Sequence, residues 1–167
     1  ADKVIVSARI NGEISDKSGI GLFLVDNSQI KKRSYNTIDG YRATELNFDN
    51  IKAELLCKDD LALECIVKAN SAGALALSAE AVGIMQVCFD LTLDYLKTRN
   101  QFGKSIGAFQ SIQHRMVDMM LEIEQVRSAV MLASSTFETN SSTRDKNVSA
   151  AKNLVGRVGK LIAEESI

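Results

Sequence analysis

The residues of this chain best suited to bind a ligand lie in one segment, from Tyr95 to His114. A helix-like pattern ends there, a short turn follows, and a second helix-like pattern begins. Arg99 falls where a positive side chain complements the carbonyl end of a helix. Gly103 can supply the positive φ of a tight corner, and Ser105 can cap the next helix. The segment therefore predicts a helix hairpin with an arginine at its corner.

Two interpretations of Arg99 follow from these residue types. In the first, the guanidinium only offsets the partial negative charge at the end of the helix. In the second, Arg99 and nearby helix-terminal N–H groups bind an anion, because the guanidinium fork matches the geometry of a phosphate. A phosphate or a pyrophosphate would suit such a site. The residue types alone leave both interpretations open.

Motifs of other chemistries are missing from the sequence. The stretch Ser18–Gly21 is neither a phosphate-binding loop nor a dinucleotide fingerprint. His114 is the single histidine, and Ser111, three residues before it, stands where a di-iron bundle would carry a carboxylate. The three cysteines, an odd number without Cys-x-x-Cys spacing, predict reduced, buried thiols rather than disulfides or a metal site; they are Cys57, Cys65 and Cys88.

Composition favours a soluble globular chain with one hydrophobic core. Of the 167 residues, 46% are hydrophobic and 25% are charged, which is ordinary for a folded domain. A net charge of -1 argues against a general nucleic-acid binder. The longest apolar stretch, from Ala72 to Val87, contains Glu80 and Gln86, so no membrane span is predicted. The chain starts without methionine, and we interpret it as a piece of a longer protein.

The elements that position Arg99 change in character near residue 57. Before it, short β-rich runs predict a small antiparallel sheet; they are Val4–Val6, Ile20–Val25, Ile30–Tyr35 and Glu45–Asp49. After it, apolar residues recur every three or four positions and predict helices near 59–98, 105–138 and 143–167. The absence of proline suits long helices. Strands are expected only before residue 57, and none between Ala62 and Thr136.

The fold class predicted is α+β, with the end of a small β-domain followed by an up-down helical bundle. The middle of the first helix is apolar nearly all round, which is typical of the buried centre of a bundle. Three helices do not close such a core. A fourth helix is therefore expected from beyond Ile167 or from another chain.

The sequence motif around Arg99 also resembles that of a known family. Arg-x-Gln-Phe-Gly-x-x-Ile-x-x-Phe-Gln-x-x-x-His, from Arg99 to His114, resembles the hallmark of the acyl-CoA dehydrogenase family, flavoenzymes that desaturate acyl-CoA thioesters. Ala81–Gln86 looks like a stretch in the first long helix of that family's carboxy-terminal domain. Gly40–Ile51 looks like the last strands of its middle β-domain. Within that family, the sequence looks most similar to the small subunits of the pimeloyl-CoA dehydrogenase class.

The resemblance implies a domain division and a cofactor. Residues 1–57 would end the middle β-domain, and residues 58–167 would form the carboxy-terminal bundle without its last helix. The implied cofactor is FAD. Arg99 matches an arginine that reaches the FAD diphosphate of a neighbouring subunit, and Gln101 and Phe102 match residues along the same diphosphate–adenosine path. Gln110 matches a glutamine at the adenosine half, while core packing is the alternative for Phe102 and Phe109.

The resemblance leaves the catalytic base unidentified. The family's usual glutamate is expected beyond Ile167. Some members carry the base inside the first long helix, at a position that falls near Gly73, where this chain has no carboxylate. Glu80 lies two turns further on, about 10.5 Å along the axis, and is a weaker candidate. Glu64 is weaker still, and no metal site is expected.

The function implied by the resemblance is FAD-dependent α,β-desaturation of an acyl-CoA in fatty acid metabolism, with this segment inactive alone. Implied partners are the acyl-CoA substrate, an electron-transfer flavoprotein as electron acceptor, and further subunits of a homo- or hetero-oligomer, a dimer or tetramer. The implied location is the bacterial cytoplasm or, failing that, the mitochondrial matrix. One alternative is a non-catalytic, structural subunit of a mixed complex. Another is a related acyl-CoA oxidase or flavin monooxygenase.

Overall fold

The computed structural model describes residues 2–167 and has strands in its first third and three long helices after them. This order confirms the predicted α+β class. The chain forms two compact units, Ala1–Val67 and Lys68–Ile167, and the division falls within the first helix.

The first unit contains two antiparallel sheets built from five strands. The strands are β1 (Lys3–Arg9), β2 (Ile20–Asp26), β3 (Lys31–Asn36), β4 (Arg42–Asn47) and β5 (Ala53–Lys58). One sheet has the order β1-β2-β5, and β3 pairs with β4 in the other. Strand β5 was not predicted, because its sequence AELLCK shows no period-two alternation. It ends at Lys58, two residues beyond the last position predicted for a strand.

The connection between β1 and β2 is organised by one arginine. The Arg9 guanidinium donates hydrogen bonds to four backbone carbonyls of the loop, those of Asn11, Ile14, Asp16 and Ser18. Gly19 has a φ of 78°, and a Cβ there would lie 2.3 Å from the Asn11 carbonyl oxygen. The loop therefore requires glycine at this position.

The helices are α1 (Asp59–Thr98), α2 (Gln110–Ser135) and α3 (Ser141–Glu165). The predicted bounds of the first are confirmed. The second begins five residues later than predicted, because a two-stranded hairpin, β6 (Asn100–Gln101) and β7 (Lys104–Ser105), precedes it. The prediction of no strand between Ala62 and Thr136 is therefore wrong. Strands of two residues are too short to show any periodicity.

The core of the second unit lies mainly between α2 and α3. Met119 and Val126 of α2 and Val158 and Ile162 of α3 are almost fully buried. Across the same interface, Arg157 donates two hydrogen bonds to the Glu122 carboxylate, at 3.0 and 2.7 Å. These helices thus combine an apolar interior with a bidentate ion pair at its edge.

The described residues cover one side of helix α1 and leave another side exposed. Val82 and Met85 are buried in the core, while apolar side chains on another face are each more than half exposed; these are Leu77, Ile84, Val87 and Leu91. Within residues 2–167, α2 and α3 therefore cover one face of α1, and the three helices leave the other face open. By length and composition, α1 could also span a membrane. Core helices of soluble bundles share those properties, so this alone does not establish a span.

Candidate functional site

The predicted anion-binding segment forms a tight β-hairpin between α1 and α2. Asn100 pairs with Ser105 and Gln101 with Lys104, which leaves Phe102 and Gly103 as a two-residue turn. Their φ values are 53° and 78°, and positive φ at both central residues is the signature of a type I′ turn. The positive φ predicted for Gly103 is confirmed. That of Phe102 is unexpected, since bulky residues rarely adopt it.

Backbone hydrogen bonds fix the base of the hairpin. The Arg99 N–H donates to the Tyr95 carbonyl at 2.9 Å, and the Ile106 N–H donates to the Arg99 carbonyl, also at 2.9 Å. Gly107 lies so close to α1 that a Cβ there would stand 3.0 Å from the Leu96 carbonyl oxygen. Gln113 of α2 donates its side-chain amide to the Gly107 carbonyl at 2.9 Å. The hairpin is therefore held at a defined position by both flanking helices.

Arg99 leaves the end of α1, as predicted, with its side chain exposed. Its guanidinium makes no hydrogen bond or ion pair within residues 2–167. Other arginines of the same unit, such as Arg115 and Arg157, are paired with glutamates. Arg99 thus presents an unneutralised charge next to the hairpin, which is what the anion-binding interpretation requires.

The N-terminus of α2 lies at the other end of the same segment. Phe109 occupies the N-cap position and provides no side-chain hydrogen bond to the helix. Ser105 was expected to cap this helix, but it precedes a short 3-10 helix, Ile106–Ala108, and its side chain makes no capping hydrogen bond. The first N–H groups of α2 are therefore without a side-chain cap, and Gln110 is exposed at its first position.

Three side chains form what we term the aromatic cluster: Phe102, Lys104 and Phe109. The Phe102 and Phe109 rings are perpendicular, with centroids 6.2 Å apart. The Lys104 Nζ lies 4.2 Å from the Phe109 ring centroid. Phe102 is 91% exposed, so core packing does not explain it, whereas Phe109 is half-buried. Lys104 was missed by sequence reasoning, because a lysine beside a turn gives no signal of an aromatic contact.

A cavity of about 400 Å³ lies beside the hairpin, between the end of α1 and the start of α2. Its walls are mainly apolar, with Leu93, Leu96 and Met116 among them, and Lys97 and Gln113 add polar groups. The site therefore combines an exposed guanidinium, an exposed ring, uncapped N–H groups and an apolar recess.

The described carboxylates form no recognisable catalytic centre. Glu80 and Glu64 are both exposed, and neither makes a hydrogen bond or an ion pair within residues 2–167. Among the same residues, no group of three metal-binding side chains occurs. Within residues 2–167, neither glutamate has a hydrogen-bond or ion-pair partner that would mark it as a catalytic base.

The three cysteines are free thiols, as the sequence predicts. They are less buried than predicted, since Cys65 is exposed and Cys57 and Cys88 are half-buried. Desolvation and the neighbouring Cys65 thiol raise the pKa of Cys57 above its ordinary value. Cys57 is therefore less readily ionised than a free cysteine.

Comparison with known proteins gives a consistent result. Residues 63–167 match the family model described as acyl-CoA dehydrogenase, C-terminal domain. The chain is 34% identical over 119 residues to the short/branched chain specific acyl-CoA dehydrogenase, mitochondrial, of Rattus norvegicus, an alignment covering 65% of this chain and 27% of that protein.

Two solved structures show the same fold. Butyryl-CoA dehydrogenase from Megasphaera elsdenii superposes with a TM-score of 0.86 at 24% identity, covering 99% of this chain and 45% of that one. The FAD complex of PigA superposes with a TM-score of 0.84 at 23% identity, covering 100% and 45%. The chain thus spans less than half the length of each of these relatives.

Proposed function

Because this chain belongs to the acyl-CoA dehydrogenase family, whose cofactor is FAD, we propose that it contributes the carboxy-terminal domain to an enzyme that desaturates an acyl-CoA thioester between Cα and Cβ. The observation that carries this proposal is the hairpin between α1 and α2. It presents Arg99 without an internal partner and Phe102 almost fully exposed. Both features suit an external ligand with a phosphate and an aromatic or apolar surface.

The residues present fit the diphosphate–adenosine part of FAD. Arg99 supplies a charge-assisted donor for a diphosphate oxygen, and the uncapped N-terminus of α2 adds N–H groups at the positive end of a helix dipole. Phe102 offers an exposed ring, while Gln101 and Gln110 are exposed and offer amides. In this proposal, Arg99, Gln101, Phe102 and Gln110 hold and orient the cofactor.

When bound, FAD supplies the redox chemistry of the desaturation. The part played by this chain is to bind the end of the cofactor remote from the reacting atoms and so fix its position. Such binding contributes to catalysis through orientation rather than through proton transfer. The acceptor of the electrons in the proposed reaction is an electron-transfer flavoprotein.

The proposal includes an oligomer, in which the hairpin reaches the FAD of a neighbouring subunit. It is supported by the apolar face of α1 that residues 2–167 leave uncovered, with Leu77, Ile84 and Leu91 each more than half exposed. Neighbouring exposed apolar side chains on one helix face are typical of an interaction site. Sedimentation of the intact protein as a monomer at micromolar concentration would contradict this part of the proposal. The proposed location is the bacterial cytoplasm, with the mitochondrial matrix as the second candidate.

The test of the FAD site is Arg99→Ala in the intact protein, followed by FAD titration. Hydrogen bonds to charged groups contribute about 1.5–3 kcal/mol, so we expect FAD affinity to fall roughly ten- to hundredfold. Arg99→Lys is expected to restore only part of it, because lysine lacks the planar fork. Melting of the apo protein is expected to change little, since a charge at a helix end contributes about 0.3–1 kcal/mol.

Arg42→Ala is the matched control, because Arg42 is also exposed and makes no ion pair within the described residues. It is expected to leave FAD affinity unchanged. Unchanged affinity in Arg99→Ala would remove Arg99 from the site. A large fall in apo stability would instead favour the interpretation of Arg99 as a helix-end charge.

One observation supports a second candidate, a non-catalytic subunit of a mixed complex. No carboxylate stands at Gly73, and Glu80 is exposed without a partner. The deciding measurement is acyl-CoA-dependent reduction of an electron-accepting dye by the intact, purified protein reconstituted with FAD. Turnover by the homo-oligomer would exclude this candidate, while FAD binding without turnover would favour it.

A further inference from the structure

We propose that Lys104 is a positioning residue of the cofactor-binding hairpin, acting on Phe102 through the ring of Phe109. The inference rests on the proposed function, because the consequence of correct positioning is tighter binding of FAD. It assigns Lys104 no contact with the cofactor itself.

Lys104 contacts the ring of Phe109. The Lys104 Nζ lies 4.2 Å from the centroid of the Phe109 ring, well within the range of a cation–π interaction. Lys104 makes no ion pair with any described carboxylate. Phe109 is half-buried and stands directly before α2, so packing covers part of its ring and Lys104 covers another part.

Phe109 in turn contacts the ring of Phe102. The two rings are edge to face, with an interplanar angle of 87° and centroids 6.2 Å apart. Phe102 has a φ of 53° and is 91% exposed, so the surrounding fold does little to hold its ring. Phe109 is its one aromatic neighbour within residues 2–167. The lysine, placed on Phe109, therefore helps to fix the ring that orients Phe102.

The consequence is a graded dependence of FAD binding on the charge at position 104. A cation–π interaction at an exposed site contributes about 0.5–1 kcal/mol, which corresponds to roughly two- to fivefold in affinity. Lys104→Met removes the charge while keeping an unbranched side chain. Lys104→Arg keeps a cation that stacks on an aromatic face, so it is expected to retain wild-type affinity.

The experiment is a double-mutant cycle on the intact protein, read by FAD titration. It comprises Lys104→Met, Phe109→Leu and the double variant, with apo melting measured for each. We expect Lys104→Met to weaken FAD binding two- to fivefold alone and to have no further effect in the Phe109→Leu background. A second cycle with Phe102→Leu repeats the test at an exposed ring, so a poorly folded Phe109 variant does not decide the result.

Lys152→Met is the matched control, since Lys152 is an exposed lysine of α3 without an aromatic contact in the described chain. It is expected to leave FAD affinity unchanged. An equal loss from Lys104→Met in all backgrounds would mean direct contact with FAD and overturn the inference, as would failure of Lys104→Arg to retain affinity. Failure of the proposed function is a separate outcome, namely FAD affinity that does not respond to Arg99→Ala.

Discussion

The interface between α2 and α3 differs from the hairpin between α1 and α2 in whether its side chains find partners within the chain. In the interface, Met119 and Val158 are almost fully buried, and the charges of Glu122 and Arg157 satisfy each other. In the hairpin, the guanidinium of Arg99 has no internal partner, and a phenylalanine occupies a backbone conformation that favours asparagine or glycine. The interface residues suit the fold itself, whereas the hairpin residues suit something outside the described chain.

The largest effect expected from this comparison is on the helical interface. Ile162 is 1% exposed, so Ile162→Ala leaves a cavity and should lower the free energy of unfolding by about 2–5 kcal/mol. Urea denaturation of the apo protein measures this loss. FAD affinity of the folded fraction is expected to stay unchanged, and a large change in it would break the distinction between the two regions.

Leu121→Ala provides the control for that measurement. Leu121 lies on α2 but is 52% exposed, so its truncation is expected to cost less than about 1 kcal/mol. Equal losses at the two positions would show that another surface covers Leu121 in the protein studied.

A smaller effect of opposite sign is expected at the hairpin. Phe102→Asn places a residue favoured in type I′ turns at the first turn position, where a bulky residue costs about 1–2 kcal/mol. Loss of the contact with Phe109 offsets part of this gain, by about 0.5 kcal/mol for an exposed aromatic pair. Apo stability should therefore rise slightly or stay constant while FAD affinity falls, as melting and titration would show. A fall of several degrees in apo melting would instead make Phe102 a structural residue.

The smallest effect expected concerns the pH dependence of the interface. Hydrogen bonds from Arg157 hold the pKa of Glu122 below its ordinary value of 4.5. The folded state therefore favours the ionised carboxylate, and this stabilisation is present above pH 4.5 and is lost as the pH falls through the lower folded-state pKa. Glu122→Gln should flatten the fall in stability measured by denaturation between about pH 5 and pH 3.

Glu64→Gln is the control for this titration, because Glu64 is exposed and makes no ion pair within residues 2–167. It should leave the shape of the pH profile unchanged. Glu165, whose pKa is also lowered by a hydrogen bond from Arg115, keeps some acid sensitivity in Glu122→Gln. A profile identical to wild type in Glu122→Gln would show that the pair contributes nothing to stability.

Much of the helical framework and part of the candidate site were predictable from local sequence. The bounds of α1 follow from apolar residues at spacings of three and four, and α3 begins two residues before its predicted start, where the Asn140 side chain accepts the Thr143 N–H. The start of α2 was wrong, because Phe102 stands where a hairpin turn usually shows asparagine. The roles of Arg99, Gln101 and Gln110 toward FAD stay predictions.

Features that depend on neighbours along the chain could be predicted from the sequence alone. These are the apolar periodicity of the helices, the positive φ at Gly103 and the sequence motif that begins at Arg99. Each reflects interactions within a few residues, which a local pattern records directly.

Contacts between residues far apart in the sequence became known only from the folded arrangement of the helices. Arg157 pairs with Glu122, 35 positions away, and Ser71 donates a hydrogen bond to Asp145, 74 positions away. Arg144 beside Asp145 is 4% exposed, although its type is usually found at the surface. Such pairings depend on how helices are placed against each other, and a periodic pattern specifies the face that is buried but not the partner that it meets.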